Sequence, residues 1–454
     1  MRPDLEPQDY EGEVAELLST LIRNGCVNDG TPDSGGESRS VATLQAYLGE
    51  QGSVHTFRSD RGNLVYRLPG NRPGAPSLGL MGHIDVVPAN PDGWSRDPFG
   101  GETVDGEVWG RGAVDMLNMT AAMAAVFKRF LNGTWELLPG DLVFLAVADE
   151  EAGARWGVES LMESQRTEIA CDYLLTEVPL PSVSGPGGPV YPIKVGEKGP
   201  FWRILRASGL PGHGSLPFGT KNALLPVARA VERLTTEPSP VQITAEWRAF
   251  VEALDLPADL VARLTNPEQV DGAIAELSER SLGMARYAHA CTHLTLSPNV
   301  LRAGSKANVI PDVAEMEIDI RALPGQDATT VDDHLRKVLG PDYEEVEMSG
   351  VMDFPAGTSE AAGPLWEATS DAIESLTGTR RVVPALTPMA TDARFFRELG
   401  TVAYGVALFE EELTLPEFLS RFHGNDERIS IESLGRTAAL YARTVERFGE
   451  LSTG

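Results

Sequence analysis

Cysteine is scarce in this sequence. Only three occur among 454 residues, Cys26, Cys171 and Cys291, and their spacing fits neither a zinc knuckle nor a CxxC redox motif. Their odd number and wide separation exclude a disulfide-stapled scaffold, and free cysteine commonly packs as a small hydrophobe. We therefore expect three reduced thiols in the core of a cytoplasmic protein.

Positive charge and long apolar runs are also in short supply. The chain has 38 lysines and arginines against 66 aspartates and glutamates, a net charge of −28. A nucleic-acid partner needs a basic face on the protein, so this balance argues against one. No apolar stretch is long enough to span a bilayer, and the acidic residues 1–7 lack the apolar core of a signal peptide. We expect no membrane partner.

Internal repeats, heptads and low-complexity tracts are absent from the sequence. The domain organisation is therefore inferred from the chain length and from the alternation of strand and helix patterns. At 454 residues the chain exceeds the usual size of a single core. Strand and helix patterns alternate up to Glu177, which is typical of a parallel sheet with covering helices. A Pro- and Gly-rich stretch at 179–189 ends that alternation, which resumes only after Asp353. The pattern predicts a first α/β part at 1–195, an interrupting α+β domain at 196–350 with a helical insert at about 238–290, and a second α/β part at 351–454.

Side chains able to bind metal follow three apolar runs, each with the length of a strand buried in a parallel sheet. The runs are 78–82 followed by His83 and Asp85, 142–148 followed by Asp149, Glu150 and Glu151, and 173–176 followed by Glu177. Open parallel sheets keep their ligand sites at the edge where such strands end. Asp115, which precedes an Ala- and Met-rich helical stretch, would face the same edge.

The alternatives for these residues are a core histidine for His83 and a solvated turn for Glu150 and Glu151. Each alternative is reasonable for one residue alone. A buried carboxylate without a partner costs several kcal/mol, however, and neighbouring carboxylates repel one another. Acids at the ends of three separate strands therefore favour a shared divalent cation.

Four segments together resemble one enzyme family. They are 83–85 (HID), 110–116 (GRGAVDM), 149–153 (DEEAG) and 423–428 (HGNDER). In this order they are similar to the co-catalytic zinc exopeptidases and amidohydrolases, which include aminoacylase, acetylornithine deacetylase, succinyl-diaminopimelate desuccinylase and glutamate carboxypeptidase. The resemblance covers most of the chain apart from the helical insert. It implies an α/β/α catalytic domain interrupted by a smaller, ferredoxin-like α+β domain that serves as lid and dimerisation domain.

The resemblance also implies two zinc ions per chain, for which cobalt or manganese could substitute. His83, Asp115 and Glu177 would hold one ion, and Asp115, Glu151 and His423 the other. Asp115 would then bridge the two ions, since a carboxylate has two oxygens to offer. Small sets of nitrogen and oxygen ligands that leave positions open are what catalytic zinc requires.

Two further acids are expected to assist the ligands. Asp85 follows His83 by two residues, which on an extended segment places both side chains on one face. It could accept the proton of the free imidazole nitrogen and so fix the tautomer of the ligand. Glu150, beside a ligand but not expected to bind metal, would be the general base that takes a proton from the attacking water and delivers it to the leaving nitrogen.

Five residues match family positions that contact substrate: His213, Asn308, Arg321, Thr391 and Arg394. In the family a histidine like His213 reaches the site when the domains close and stabilises the developing oxyanion. Arg321 could bind a carboxylate through two parallel hydrogen bonds. The alternatives are a turn histidine in water at 213, a loop amide at 308, a surface ion pair at 321, and a helix-surface charge at 394 paired with Asp392 or Glu398.

One segment departs from the family pattern, so the substrate preference cannot be taken from any one relative. Relatives commonly follow the bridging aspartate with Met, a lysine and two glycines, whereas Met116 is followed here by Leu, Asn and Met.

We predict a hydrolase that cleaves a peptide or amide bond next to a free carboxylate, of dipeptidase or carboxypeptidase type. Its substrate would be a small peptide or an N-acyl amino acid. The alternatives are an N-acyl-amino-acid deacylase, a non-catalytic metal-bound binding protein and a single-metal amidohydrolase. A homodimer through the lid is also implied, with His213 serving its own site or the partner's.

Overall fold

A computed structural model describes residues 6–58 and 60–452 of the chain. Residues 1–5 of the acidic N-terminal stretch therefore lie outside the described residues. The helices are α1 Gln8–Asn24, α2 Ser38–Leu48, α3 Leu117–Leu131, α4 Ser160–Ser164, α5 Arg166–Ile169, α6 Leu224–Thr236, α7 Ala245–Ala253, α8 Ala258–Leu264, α9 Val270–Arg280, α10 Leu282–Thr292, α11 Ala328–Leu339, α12 Pro364–Thr377, α13 Ala393–Arg397, α14 Leu415–Arg421 and α15 Ile431–Leu451. The strands are β1 Ser53–Arg58, β2 Arg61–Leu68, β3 Leu78–His83, β4 Glu102–Val104, β5 Glu107–Trp109, β6 Leu142–Val147, β7 Tyr173–Thr176, β8 Val183–Gly185, β9 Gly188–Glu197, β10 Gly199–Pro200, β11 Arg203–Ser208, β12 Gly212–His213, β13 Thr295–Ala303, β14 Val309–Ile310, β15 Val313–Ala322, β16 Val346–Gly350, β17 Gly357–Thr358, β18 Val382–Thr387, β19 Val402–Gly405 and β20 Arg428–Ser430.

A large mixed sheet forms the centre of the molecule. Its strand order is β1-β2-β6-β3-β7-β19-β9-β17, with β8 and β18 also paired to β9. The neighbours β6, β3, β7 and β19 are parallel, so their carboxyl ends meet at one edge. Every residue of β3 and β6 is buried, as continuous apolar runs in a parallel sheet require. This edge is where the candidate ligands lie.

Helices cover both faces of the large sheet. On one face α1, α3, α12 and α15 pack together over the largest apolar cluster of the protein. A smaller cluster on the other face includes Leu161 of α4 and Phe396 of α13. Helix α3 is buried nearly all round, which explains its run of alanines and methionines. The predicted α/β/α arrangement is thereby confirmed.

A second, antiparallel sheet follows along the chain. Its order is β10-β15-β11-β16, with β13 also paired to β15. Residues along β15 alternate between buried apolar side chains such as Met316 and Ile318 and more exposed acids such as Glu317. Helices α6 and α11 pack against each other and share the apolar cluster of this sheet. These elements fall in the range predicted for the lid, whose exact bounds stay a prediction.

The helical insert, α7 to α10, packs on the large sheet although it interrupts the second one. Its aromatic residues Trp247, Phe250 and Tyr287 share a cluster with Ala385 and Leu386 of β18. Tyr287 also donates a hydrogen bond of 2.6 Å to the carbonyl oxygen of Leu386. The insert is therefore a packing element of the large sheet.

The three cysteines are free and buried, as expected. Among the helices of residues 6–58 and 60–452, none has the length and apolarity needed to cross a bilayer.

Replacing Leu80 with alanine tests how strongly the large sheet depends on its central strand. Leu80 is 0% exposed, so the change removes buried methyl groups and leaves a cavity between sheet and helices. We expect the free energy of unfolding, measured by urea denaturation, to fall by about 2–5 kcal/mol. Leu399→Ala is the matched control, because Leu399 is 44% exposed, and it should cost less than about 0.5 kcal/mol. Equal losses for the two variants would contradict the assigned core.

Candidate metal centre

Ligand atoms from distant parts of the chain meet at the carboxyl edge of the large sheet. His83 ends β3, Glu177 follows β7 and Glu151 follows β6, whereas Asp115 precedes α3 and His423 follows α14. Candidate ligand atoms of His83, Asp115 and Glu177 all lie within 4.8 Å of one another, and so do those of Asp115, Glu151 and His423. The two groups have Asp115 in common.

Asp115 presents a different carboxylate oxygen to each group. Its Oδ1 lies 3.2 Å from Nε2 of His83, and its Oδ2 lies 3.3 Å from Nε2 of His423. Nε2 of His83 is 3.6 Å from Oε2 of Glu177, and Nε2 of His423 is 3.3 Å from Oε2 of Glu151. A carboxylate placed in this way can join two ions.

The two ligand groups together contain three carboxylates but only two imidazoles, so their negative charge is not balanced by a fixed cation. Burial raises the pKa of Glu177 to about 8, and burial together with the charge of Asp115 raises the pKa of Glu151. Hydrogen bonds to Asp115 and Glu151 raise the pKa of His423 to about 10. Burial opposes the charged form of His83, yet the hydrogen bond to Asp115 and the charge of Glu177 raise its pKa well above the usual value. A metal ion would take the place of the proton on the ligand nitrogen of each imidazole, because only neutral imidazole binds metal.

The donor set suits divalent cations. Oε1 of Glu151 is buried and has no hydrogen-bond partner among the described residues, so one ligand oxygen is left for a cation. Imidazole nitrogens and carboxylate oxygens in small sets are the ligands that zinc prefers at catalytic sites. The residues therefore fit a pair of metal ions, one in each group.

Asp85 is fully buried beside His83, and its contacts are divided between imidazole and backbone. Its Oδ1 is 3.6 Å from Nδ1 of His83, while that nitrogen is 2.9 Å from the main-chain oxygen of Asp85. The carboxylate instead accepts the backbone N–H groups of Glu150 and Glu151, each at 3.2 Å. Asp85 therefore contacts the segments of both a candidate ligand and the candidate base, and its role toward His83 stays a prediction.

Glu150 lines the cleft but belongs to neither ligand group. Burial, with the charge of Glu177, raises its pKa well above the usual value. The turn that directs it into the cleft depends on Asp149, whose φ of 68° is left-handed. Aspartate tolerates this region better than most residues, and Oδ2 of Asp149 accepts the N–H of Trp156 at 2.9 Å.

Left-handed backbone recurs beside two of the candidate ligands. Val178, directly after Glu177, has a φ of 54°, and His423 itself has a φ of 53°. For a β-branched residue such as valine this conformation is a rare exception. Strained positions of this kind cluster at functional sites, where the surrounding structure holds them in place.

A cleft of about 570 Å³ opens above the ligands. The second sheet contributes Pro200 and Arg321 to its wall, Trp202 comes from the link between β10 and β11, and Met352 from the segment after β16. The site therefore lies between the two sheets, where a substrate would contact both.

Of the predicted substrate-binding residues, the two arginines lie at the cleft. Arg321 lines it and pairs through Nε with Asp319 at 2.7 Å, with its guanidinium 5.6 Å from the Trp202 ring. Arg394 also lines the cleft and is only 6% exposed, so it is not a surface charge. It donates to the carbonyl oxygens of Thr391 at 3.0 Å and Gly153 at 3.2 Å.

The other predicted contacts lie away from the cleft surface. Thr391 is buried and donates its hydroxyl hydrogen to Glu197. His213 and Asn308 are exposed and do not line the cleft. They belong to neighbouring segments, since the N–H of Gly214 donates to the carbonyl oxygen of Asn308 at 2.8 Å. The structure thus does not bring His213 or Asn308 to the ligands of the same chain.

A buried ion pair missed at the sequence level joins the loops of Asp115 and His423. Glu427, 0% exposed, accepts the N–H groups of Val114 at 2.7 Å and Asp115 at 3.1 Å. Its other oxygen accepts from Arg111 at 2.7 Å, and Arg111 also donates to the carbonyl oxygen of His423 at 3.3 Å. Both charges stand inside the family segments, which is a signal that could have pointed to them.

Asp392, considered from the sequence only as a partner of Arg394, lies with its Oδ1 3.9 Å from Nη1 of that residue. It is 1% exposed, and neither carboxylate oxygen has a hydrogen-bond partner among the described residues. Burial raises its pKa to about 7. Its position between the predicted Thr391 and Arg394 was the available signal.

Comparison with known proteins places this site in a family. A sequence profile of peptidase family M20/M25/M40 matches residues 79–447. The human N-fatty-acyl-amino acid synthase/hydrolase PM20D1 is 25% identical over 384 residues, which are 81% of this chain and 73% of that protein. The succinyl-diaminopimelate desuccinylase of Paracoccus denitrificans is 26% identical over 450 residues, 96% of this chain and 98% of that protein.

The fold also matches a solved structure. An M20 family metallo-carboxypeptidase from Sulfolobus solfataricus has a TM-score of 0.73 with this chain at 18% identity, and the match covers 97% of this chain and 100% of that one. The shared fold extends over both sheets.

Glu427→Gln tests the ion pair that joins the two ligand loops. Glutamine keeps the size of the side chain but removes the charge that holds Arg111 and the backbone of Asp115. We expect metal affinity, measured by competition with a chelator, to fall by about 10–100-fold. Glu432→Gln is the control, because Glu432 forms an exposed pair with Arg436 on α15, and it should leave affinity unchanged. Unchanged affinity in Glu427→Gln would show that the pair does not support the ligands.

Proposed function

The chain belongs to peptidase family M20/M25/M40, and on this premise we propose that it is a two-zinc hydrolase that cleaves a peptide or amide bond beside a free carboxylate. Members of the family are hydrolytic enzymes that bind two metal ions, and this chain is a hydrolase of that type. The observation that carries the finer proposal is the placement of the two Asp115 oxygens toward separate ligand groups.

The proposed ions are held by the residues of those two groups. His83 and Glu177 would hold one, Glu151 and His423 would hold the other, and Asp115 would serve both. Zinc is the proposed metal, with cobalt or manganese as substitutes. When bound, the pair would polarise the scissile carbonyl and lower the pKa of the attacking water.

Glu150 is proposed as the general base. It is half-buried, lines the cleft and takes no part in either ligand group, so its carboxylate is available for proton transfer. A raised pKa suits a group that accepts a proton from water and then gives it to the leaving nitrogen. Asp85 holds the main-chain N–H of Glu150 and so orients the base.

The free carboxylate of the substrate is proposed to bind an arginine of the cleft. Arg321 is the first candidate, because its partner Asp319 is partly exposed and the pair can open to water. Arg394 is more firmly held by carbonyl oxygens and by the rings of Phe354 and Phe395, 4.6 and 4.4 Å from its guanidinium. Arg394 would therefore shape the end of the cleft.

Deacylation of N-acyl amino acids is the second candidate activity. The cleft wall beyond the ligands is largely apolar, with Val178, Trp202, Met352 and Met389. Such a wall favours an apolar side chain or an apolar acyl group beside the scissile bond. Both the fatty-acyl hydrolase and the desuccinylase among the relatives act on acyl groups by name.

The exposed position of His213 leads to the proposal that two chains pair through the predicted lid domain and exchange this residue. Leu216 and Phe218, on the same loop, are 72% and 101% exposed, and nearby Leu210 is 64% exposed. Apolar side chains grouped in this way mark an interaction surface. In a dimer of this kind His213 would stabilise the oxyanion in the site of the partner chain.

Glu150→Gln tests the base. We expect turnover to fall by about 100-fold to 10,000-fold, since the variant cannot accept a proton, while metal content stays at the wild-type level. The assay is a panel of dipeptides and N-acyl amino acids with added zinc, cobalt or manganese. Glu163→Gln, at an exposed glutamate of α4, is the control and should keep full turnover. Wild-type turnover in Glu150→Gln would rule out this residue as the base.

Coexpression of two inactive chains tests the exchange of His213. A dimer of one His213→Ala chain and one Glu150→Gln chain would contain one site with both groups intact. Random pairing should therefore restore about a quarter of the wild-type activity, with a solution mass of two chains. Pairing His83→Ala with Glu150→Gln is the control and should restore none, because each chain then damages its own site. Absence of recovery in the first pair would place His213 in its own site.

A further inference from the structure

We infer that Arg61 is a positioning residue for the metal centre, fixing the segment of Glu150 and Glu151 through Asp149, Asn28 and Asp85. The inference rests on the proposed function only in requiring that the centre binds metal. No segment quoted for the family resemblance includes Arg61.

Arg61 lies at the active edge of the sheet because of strand direction. It is the first residue of β2, which runs antiparallel to β6 with Leu64 opposite Ala146. The start of β2 therefore lies beside the end of β6, where Asp149 follows. Arg61 is 1% exposed, and a guanidinium removed from water is costly unless other groups bind it.

The guanidinium is bound by the loop and the turn that flank it. Nη1 donates to Oδ1 of Asp149 at 2.6 Å and to Oε1 of Glu37 at 3.2 Å. Nη2 donates to Oδ1 of Asn28 at 3.1 Å and to the carbonyl oxygen of Thr31 at 3.0 Å. Hydrogen bonds from a charged donor to carboxylates are the strongest of this set. Nη2 also donates to the hydroxyl oxygen of Ser34 at 3.3 Å. The Arg61 side chain thus donates hydrogen bonds to five acceptors.

The network continues from Asn28 to the candidate ligand and base. Nδ2 of Asn28 donates to Oδ1 of Asp149 at 3.0 Å and to Oδ2 of Asp85 at 2.9 Å. The Asp85 carboxylate in turn accepts the N–H groups of Glu150 and Glu151. Arg61 is therefore connected by hydrogen bonds to the backbone of both glutamates.

The buried negative charges of Asp85 and Asp149 explain why this network needs a cation. Asp85 and Asp149 are both buried and face the same amide of Asn28, so their repulsion would push the turn apart without a cation. Arg61 supplies that cation. The same loop lines the cleft with Asn28, Asp29 and Gly30, so the network also holds part of the substrate wall.

Arg61→Met and Arg61→Lys test the inference in the full chain. Methionine removes the charge, and lysine keeps it but cannot reach all five acceptors. Zinc affinity is measured by competition with a chelator, which needs no substrate, and kcat and KM are measured separately. Arg67→Met is the control, since Arg67 lies on the same strand and binds Asp141 and two carbonyl oxygens at the opposite end.

We expect Arg61→Met to lose about 10–100-fold in zinc affinity and in kcat, with KM changed less than about 3-fold. Arg61→Lys should recover part of both losses, and Arg67→Met should lose neither. Wild-type zinc affinity and kcat in Arg61→Met would overturn the inference. If Arg61→Met fails to fold, wild-type values in Arg61→Lys would overturn it equally, and a loss in Arg61→Lys would support it. A wild-type chain without activity on the panel would refute the proposed function, whereas the zinc measurements would still decide the role of Arg61.

Discussion

Repulsion among carboxylates at one sheet edge is the constraint to which the rest of the site responds. Asp85, Asp115 and Asp149 are buried there together with Glu177, and Glu150 and Glu151 share the turn after β6. Burial favours the neutral acid, so each group must find a cation or a proton. The fold supplies guanidinium groups behind the ligands, and metal ions held by the carboxylates and neutral imidazoles would supply the remaining positive charge.

The cations behind the ligands act on backbone loops more than on the ligands themselves. Arg111 and Glu427 hold the N–H of Asp115 and the carbonyl oxygen of His423. Arg61 holds the other side through Asp149. A buried ion pair adds little net stability, because desolvation offsets the attraction between the charges. Its contribution here is geometry, since each pair fixes the direction in which a ligand side chain leaves the main chain.

Three of the predicted ligands lie close together in the structure because they follow strand ends. His83, Glu151 and Glu177 follow apolar runs, and parallel strands must end at one edge, so three-dimensional proximity follows from local pattern. Arg111 and Glu427 are 316 residues apart, and no local pattern relates them. Arg61 is the first residue of β2, and its position beside the end of β6 follows only from the antiparallel pairing of these two strands. The proposed role of His213 rests on the proposed dimer, which no local pattern of the sequence specifies.

The packing of the helical insert constrains how the cleft can change its width. The chain leaves the second sheet after α6 and returns at β13, yet the helices between them adhere to β18 of the large sheet. Lys198 strengthens this attachment by donating to the carbonyl oxygens of Ala290 at 2.9 Å and His293 at 2.7 Å. Along the described chain the backbone thus crosses between the sheets after β9, after α6, before β13 and after β16. Any change in the distance between the two sheets therefore has to be accommodated by all four connecting segments. The width of the cleft is thus tied to how firmly the insert packs on β18, a contact remote from the metal ligands.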